Sequence, residues 1–137
     1  MKVFLDTNVL IDYLNKREPF FAESSQIMDL CISRQVEGIL SSLSIINAAY
    51  IMWKAYPENS LLFKILWLSE KFEICSIGQE SIRRAAESRP FDFEDAVQYF
   101  AALQADSDII VTRDVKGFAG FDMPVMTPAE FLARCAE

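Results

Sequence analysis

The sequence predicts an α/β fold in three layers, with a mostly parallel sheet of four to five strands held between helices. Two observations predict it. Short apolar runs alternate with stretches of helical periodicity from end to end, the order that builds parallel strands joined by right-handed crossovers. And 52% of the 137 residues are apolar, eleven of all residues being Phe, enough to bury a core in one domain spanning residues 1–137.

In chain order, Lys2–Leu5 reads as a buried strand, broken by Asp6-Thr7-Asn8, which can cap a helix from about Val9. A second helix is expected from Pro19, a residue favoured in a first turn, with Ile27, Leu30 and Cys31 inward. Gly38-Ile39-Leu40-Ser41 reads as the second strand. Leu43, Ile46, Tyr50 and Trp53 then follow helical spacing, so a buried helix is expected over 43–55. Tyr56-Pro57-Glu58-Asn59 reads as a turn, and Leu61, Leu62, Ile65, Trp67 and Leu68 mark the next helix. Residues 72–76 read as the third strand, followed by a helix through Ile82 and Ala86. Asp92 opens a helix with Ala96, Tyr99, Phe100 and Leu103 on its inner face. Residues 108–112 read as the fourth strand and Val125-Met126 as a short fifth, before a final helix opened by Thr127 and Pro128.

The formal net charge of −7 argues against a binder that coats itself in phosphate through basic residues. Such a chain meets a polyanion only if something cationic bridges the two. Cys31, Cys75 and Cys135 are too dispersed for a CxxC pair and read as reduced, buried thiols of a cytoplasmic protein. Asp6 interrupts the opening residues too early for a signal-peptide core. The longest uncharged run, 38–53, is short for a membrane span and carries Ser41, Ser42, Ser44 and Asn47, so no membrane association is expected.

Histidine is absent, which removes His-based acid–base chemistry, Ser-His-Asp triads and zinc sites that need imidazole. No GxGxxG, P-loop or SxxK motif occurs. What remains for chemistry is mainly carboxylate, the ligand type of hard ions such as Mg2+ and Mn2+.

In a sheet of this class, ligands collect outside the carboxyl ends of the strands where strand order reverses. Asp6 and Asp114 each fall just past a predicted strand, and Asp95 falls at the start of the helix leading into the fourth. Three carboxylates gathered there repel one another, and a divalent cation resolves the repulsion. Each also has a plainer reading. Asp6 suits a helix cap, Asp92-Phe93-Glu94-Asp95 resembles a capping box, and Asp114 suits a turn. Their convergence on one sheet edge is what favours the metal.

Val3-Phe4-Leu5-Asp6-Thr7-Asn8-Val9-Leu10-Ile11-Asp12 resembles the opening motif of the PIN-domain nucleases. Asp92-Phe93-Glu94-Asp95-Ala96 and Ile110-Val111-Thr112-Arg113-Asp114 resemble that family's later acidic motifs, in the same order. The resemblance implies a PIN-like fold and a metal-dependent endoribonuclease using Mg2+ or Mn2+, often the toxin of a toxin–antitoxin pair. It makes Asp6, Asp95 and Asp114 metal ligands and catalytic residues, with Asn8 and Thr112 as polar supports. Asn47 stands where many members carry Glu or Asp, and is expected to turn its amide inward and weaken the site. That departure keeps a second function open, an inactive PIN-like module that only holds RNA or a protein.

Arg113 and Lys116, with Lys16 and Arg17, flank the acidic motifs and could touch RNA phosphates. The expected partners are thus RNA, an antitoxin protein and a second copy in a homodimer. Phe20, Phe21, Phe63 and Trp67 read as core or dimer surface. Asp6-Thr7-Asn8 also resembles a haloacid-dehalogenase-type opening motif, which implies phosphoryl transfer through an aspartyl intermediate at Asp6, but that family's second Asp, two residues on, is Asn8 here.

Overall fold

The computed structural model describes residues 1–56 and 59–137. Its strands are β1 (Lys2–Leu5), β2 (Glu37–Ser41), β3 (Glu73–Cys75), β4 (Ile109–Val111) and β5 (Val125–Met126). All pair in parallel in the order β3-β2-β1-β4-β5. The helices are α1 (Thr7–Leu14), α2 (Phe21–Ile32), α3 (Ser42–Met52), α4 (Ser60–Lys71), α5 (Gln79–Glu87), α6 (Phe93–Gln104) and α7 (Pro128–Cys135), with a 3-10 turn at Val115–Phe118.

Successive strand residues point to opposite faces, which divides the core in two. Val3, Leu5, Leu40, Ile109 and Val111 pack with α1, α2, α3, α4 and α7 on one face. Phe4, Ile39 and Ile110 pack with α5, α6 and Phe118 on the other. The sheet is covered on both sides, the three-layer arrangement that alternating strands and helices predict.

The chain works outward from β1 to β2 and β3, then crosses back to place β4 on the other side of β1. Strand order therefore reverses at the β1–β4 seam, and the carboxyl ends of these two strands open a crevice there.

Several local readings need correction. Pro19 lies in a turn ahead of α2, which starts at Phe21. The helix expected over 43–55 ends at Met52, and the face it buries is Ser44, Ala48 and Met52. Ile46, Tyr50 and Trp53 point outward instead, Tyr50 being 86% exposed. A stripe of apolar residues signals burial only where something lies over it, and the sheet lies on the other side. Leu103, expected inside α6, is partly exposed. Of the cysteines, Cys31 is buried, Cys75 half-buried and Cys135 exposed. The turn expected over 56–59 falls in part on residues 57 and 58, outside the described residues. Among the described residues, no helix is long and apolar enough to cross a membrane.

Candidate functional site

Asp6 follows the last residue of β1 and caps α1, its Oδ1 accepting from the Thr7 N–H at 2.8 Å. It is 5% exposed, so its carboxylate needs partners, and it has them. Thr112 Oγ1 donates to Asp6 Oδ2 at 2.8 Å, with the Asn8 amide at 3.5 Å. Gln98 Nε2 approaches Oδ1 at 3.3 Å. The capping role and the crevice role of Asp6 coexist in one side chain.

Thr112, just beyond β4, is fully buried and works in three directions. Besides donating to Asp6 it accepts from the Asn8 amide at 3.1 Å and from the Asp114 N–H at 3.0 Å. Asn8 Oδ1 in turn accepts from the Arg113 N–H at 3.2 Å. These bonds tie the loop after β1 to the loop after β4, so Asp6 and Asp114 are held across the seam.

Asp95 enters from the start of α6, which Asp92 caps by accepting from the Asp95 N–H at 2.9 Å. Gly117, in the 3-10 turn, leaves the space that Asp95 occupies. A Cβ there would run into Asp95 Oδ2 and stand 3.4 Å from Asp114 Oδ2, so both carboxylates approach the same bare Cα.

Asp6, Asp95 and Asp114 thus line one open crevice of about 310 Å³, together with Asn8, Arg17, Asp92 and Glu94. Asp92 and Glu94 extend the sequence reading, and the dense Asp92-Phe93-Glu94-Asp95 run was their signal. Burial first, then the neighbouring Asp6, Asp92, Asp114 and Glu94, push the Asp95 carboxyl up to about 7. Burial likewise raises Asp6, against the opposing hydrogen bonds from Thr112, Thr7 and Gln98. Glu94 is raised by burial and by Asp6 and Asp92. Acids that repel one another in this way are relieved when a divalent cation displaces their protons. Among the described residues, no three Asp, Glu or Cys side chains are grouped closely enough to enclose an ion as they stand. The donor chemistry, all carboxylate oxygen beside a glycine that leaves room, fits a hard divalent ion.

The other named residues divide. Asn47 is half-buried on α3 and is not among the residues lining the crevice, where α3 contributes Ile51. Arg113 is committed elsewhere: its Nε and Nη2 hold Asp12 Oδ2 at 2.5 Å and Oδ1 at 3.2 Å, and its guanidinium lies 3.9 Å from the centre of the Phe20 ring. Asp12 is 1% exposed and Arg17 approaches it at 4.0 Å, an ion-pair cluster around the last residue of the opening motif that sequence reasoning did not assign. Lys116 is exposed.

A family model described as PIN domain matches residues 2–116. The chain is 28% identical to "Ribonuclease VapC1" of Aquifex aeolicus, over 97% of this chain and 94% of that protein. Among solved structures it resembles a toxin–antitoxin complex from Klebsiella pneumoniae, with TM-score 0.71 and 24% identity over 92% of this chain and 97% of that one. It also resembles VapBC2 from Rickettsia felis bound to a promoter DNA fragment, with TM-score 0.69 and 18% identity over 93% and 98% of the two chains.

Proposed function

Because this chain belongs to the PIN-domain family, we propose that it is an endoribonuclease that hydrolyses RNA phosphodiester bonds with Mg2+ or Mn2+ held by Asp6, Asp95 and Asp114. The observation that carries this reading is the meeting of three motif carboxylates in one crevice at the reversal of strand order. The relative named as a ribonuclease, aligned over nearly its whole length, supports the same activity. Structural relatives that are toxin–antitoxin complexes support a toxin role with an antitoxin protein as partner, and the dispersed cysteines suit the cytoplasm as its place of action. A homodimer belongs to the same proposal.

When bound, the divalent ion supplies charge opposite the scissile phosphate and acidifies a water. The chain's own part is orientation. Thr7, Thr112 and Asn8 fix the plane of the Asp6 carboxylate. Thr112, through the Asp114 N–H, carries that order to the second loop. The Asp95 carboxyl, raised to about 7 by burial and its acidic neighbours, gives up its proton where a divalent cation takes the proton's place. Asp92 and Glu94 bring further negative charge to the crevice, so Asn47 does not leave it short of acids.

The direct test is incubation of the purified chain with a mixed RNA pool in Mn2+, Mg2+ or chelator, beside an Asp6→Asn variant. Cleavage that requires the ion and disappears in the variant is expected. Cleavage that survives chelator, or is equal in both proteins, would refute the reading. Gly117→Ala offers a second test from a residue with no chemistry of its own. Its added methyl displaces the Asp95 carboxylate, so cleavage should fall about a hundredfold with the circular dichroism spectrum unchanged.

A further inference from the structure

Gln98 is fully buried in the middle of α6, one helical turn after Asp95 and on the same side of the helix. A carboxamide is costly to bury unless each polar atom is bonded, and an apolar side chain of similar length would fill the space without that demand. Here every polar atom is satisfied. Nε2 donates to Ser44 Oγ at 2.8 Å and reaches Thr7 Oγ1 at 3.2 Å and Asp6 Oδ1 at 3.3 Å. Oε1 accepts from Ser41 Oγ at 2.6 Å.

The surrounding hydroxyls fix which way the amide points. Ser41 Oγ caps α3 by accepting from the Ser44 N–H at 3.0 Å, so its single proton goes to the closer acceptor, Gln98 Oε1, rather than to Ser44 Oγ at 3.2 Å. With the oxygen held by Ser41, the NH2 group must face Asp6, whose Oδ1 also accepts from the Thr7 N–H. Ser44 Oγ also bonds Thr7 Oγ1 at 2.7 Å, closing the network between the first turns of α1 and α3.

We infer that Gln98 is a positioning residue for the metal site: clamped by Ser41 and Ser44, its amide holds Asp6 Oδ1 from the inner side of the crevice while Thr112 holds Oδ2. The inference rests on the reading of Asp6 as a metal ligand. An amide is suited to this work because it donates without bringing charge. A Lys or Arg at the same place would neutralise Asp6 and compete with the cation, whereas Gln98 orients the carboxylate and leaves its negative charge intact. The hydrogen bond from Gln98 also opposes the effect of burial on Asp6.

The test uses the full chain, with Gln98→Met and Ser41→Ala beside Asp6→Asn. Mn2+ affinity is read by titration calorimetry, and kcat and KM on one RNA that the parent cleaves. Gln98→Met is expected to weaken Mn2+ binding ten- to a hundredfold and to lower kcat with KM for RNA unchanged. Ser41→Ala, which frees the amide to turn over, should move both readings in the same direction by less. Folded variants that bind Mn2+ and turn over like the parent, even with a lowered melting temperature, overturn the inference. If Gln98→Met fails to fold, Ser41→Ala decides by the same two readings. Lost binding in Asp6→Asn beside unaltered binding in Gln98→Met removes the role of Gln98 alone. A parent that takes up no Mn2+ removes the metal reading, and this role with it.

Discussion

Asp95→Asn is expected to lower RNA cleavage by about a thousandfold, since each tenfold corresponds to about 1.4 kcal/mol and a metal ligand contributes several kcal/mol. The same change should stabilise the metal-free protein. The Asp95 carboxyl is raised from 3.8 to about 7, first by burial and then by four neighbouring acids. Between those values the folded chain keeps a proton that the unfolded chain has released, so stability falls as pH rises through the window. Below it the effect is absent, and above it the effect is complete. Allowing for solvent screening of this half-exposed group, the full burden is about 1–2 kcal/mol. Asn has no proton to lose. In chelator at about pH 8 the variant should therefore melt roughly 3–6 °C higher than the parent, with the two converging near pH 4. Equal melting temperatures at the higher pH would show that the clustered acids carry no such burden. The parent should recover the difference when Mn2+ is added, and the variant should respond much less.

Arg113→Met is expected to destabilise the fold by about 3 kcal/mol, the cost of leaving a buried charge without its partner. Asp12, 1% exposed on α1, loses both bonds to the guanidinium and, among the described residues, keeps Arg17 at 4.0 Å as its one ion-pair partner. The Phe20 ring loses the cation stacked upon it. Together these should lower the melting temperature by roughly 10 °C. This outcome separates a structural Arg113 from one that touches RNA. A phosphate-contacting residue would lower RNA affinity and its salt dependence and leave the melting temperature unchanged.

Much of the fold was legible because local signals agreed with the global pattern. Thr127-Pro128 with Glu130 forms a capping box with Pro in the first turn, and α7 begins there. Lys2–Leu5 is a strand with the bounds its apolar run suggests, and Asp6 ends it where expected. The acidic crevice was legible for a similar reason: two strand ends and a helix start pointed to one edge, and the motifs' resemblance to the PIN-domain nucleases agreed.

What was not legible depends on partners distant in sequence. Ser44 looks solvent-exposed in the sequence but is buried, because its Oγ accepts from the Gln98 amide and shares a hydrogen bond with the Thr7 hydroxyl. Once that polar side of α3 turns inward, Ile46 and Tyr50 must turn out, against their hydrophobicity. Gln98 carries no charge and belongs to no motif, so nothing in composition marks it. The one available signal was its position three residues after Asp95, on the same helical face. Arg113 misled in the opposite way, since a cation beside an acidic motif suggests phosphate until Asp12 is seen beneath it.

The strand order also bears on synthesis at the ribosome. β1 precedes β2 in the chain and can pair with it once residue 41 has emerged, but its other edge waits for β4 at Ile109–Val111. Asp6 and Asp114 come from the two sides of that last seam, and Asp95 from the helix just before it. A nascent chain that has not yet exposed β4 therefore carries a half-sheet with no assembled crevice. The site can assemble only after residue 114 has emerged, so that chains halted earlier in translation carry the first motif without the last.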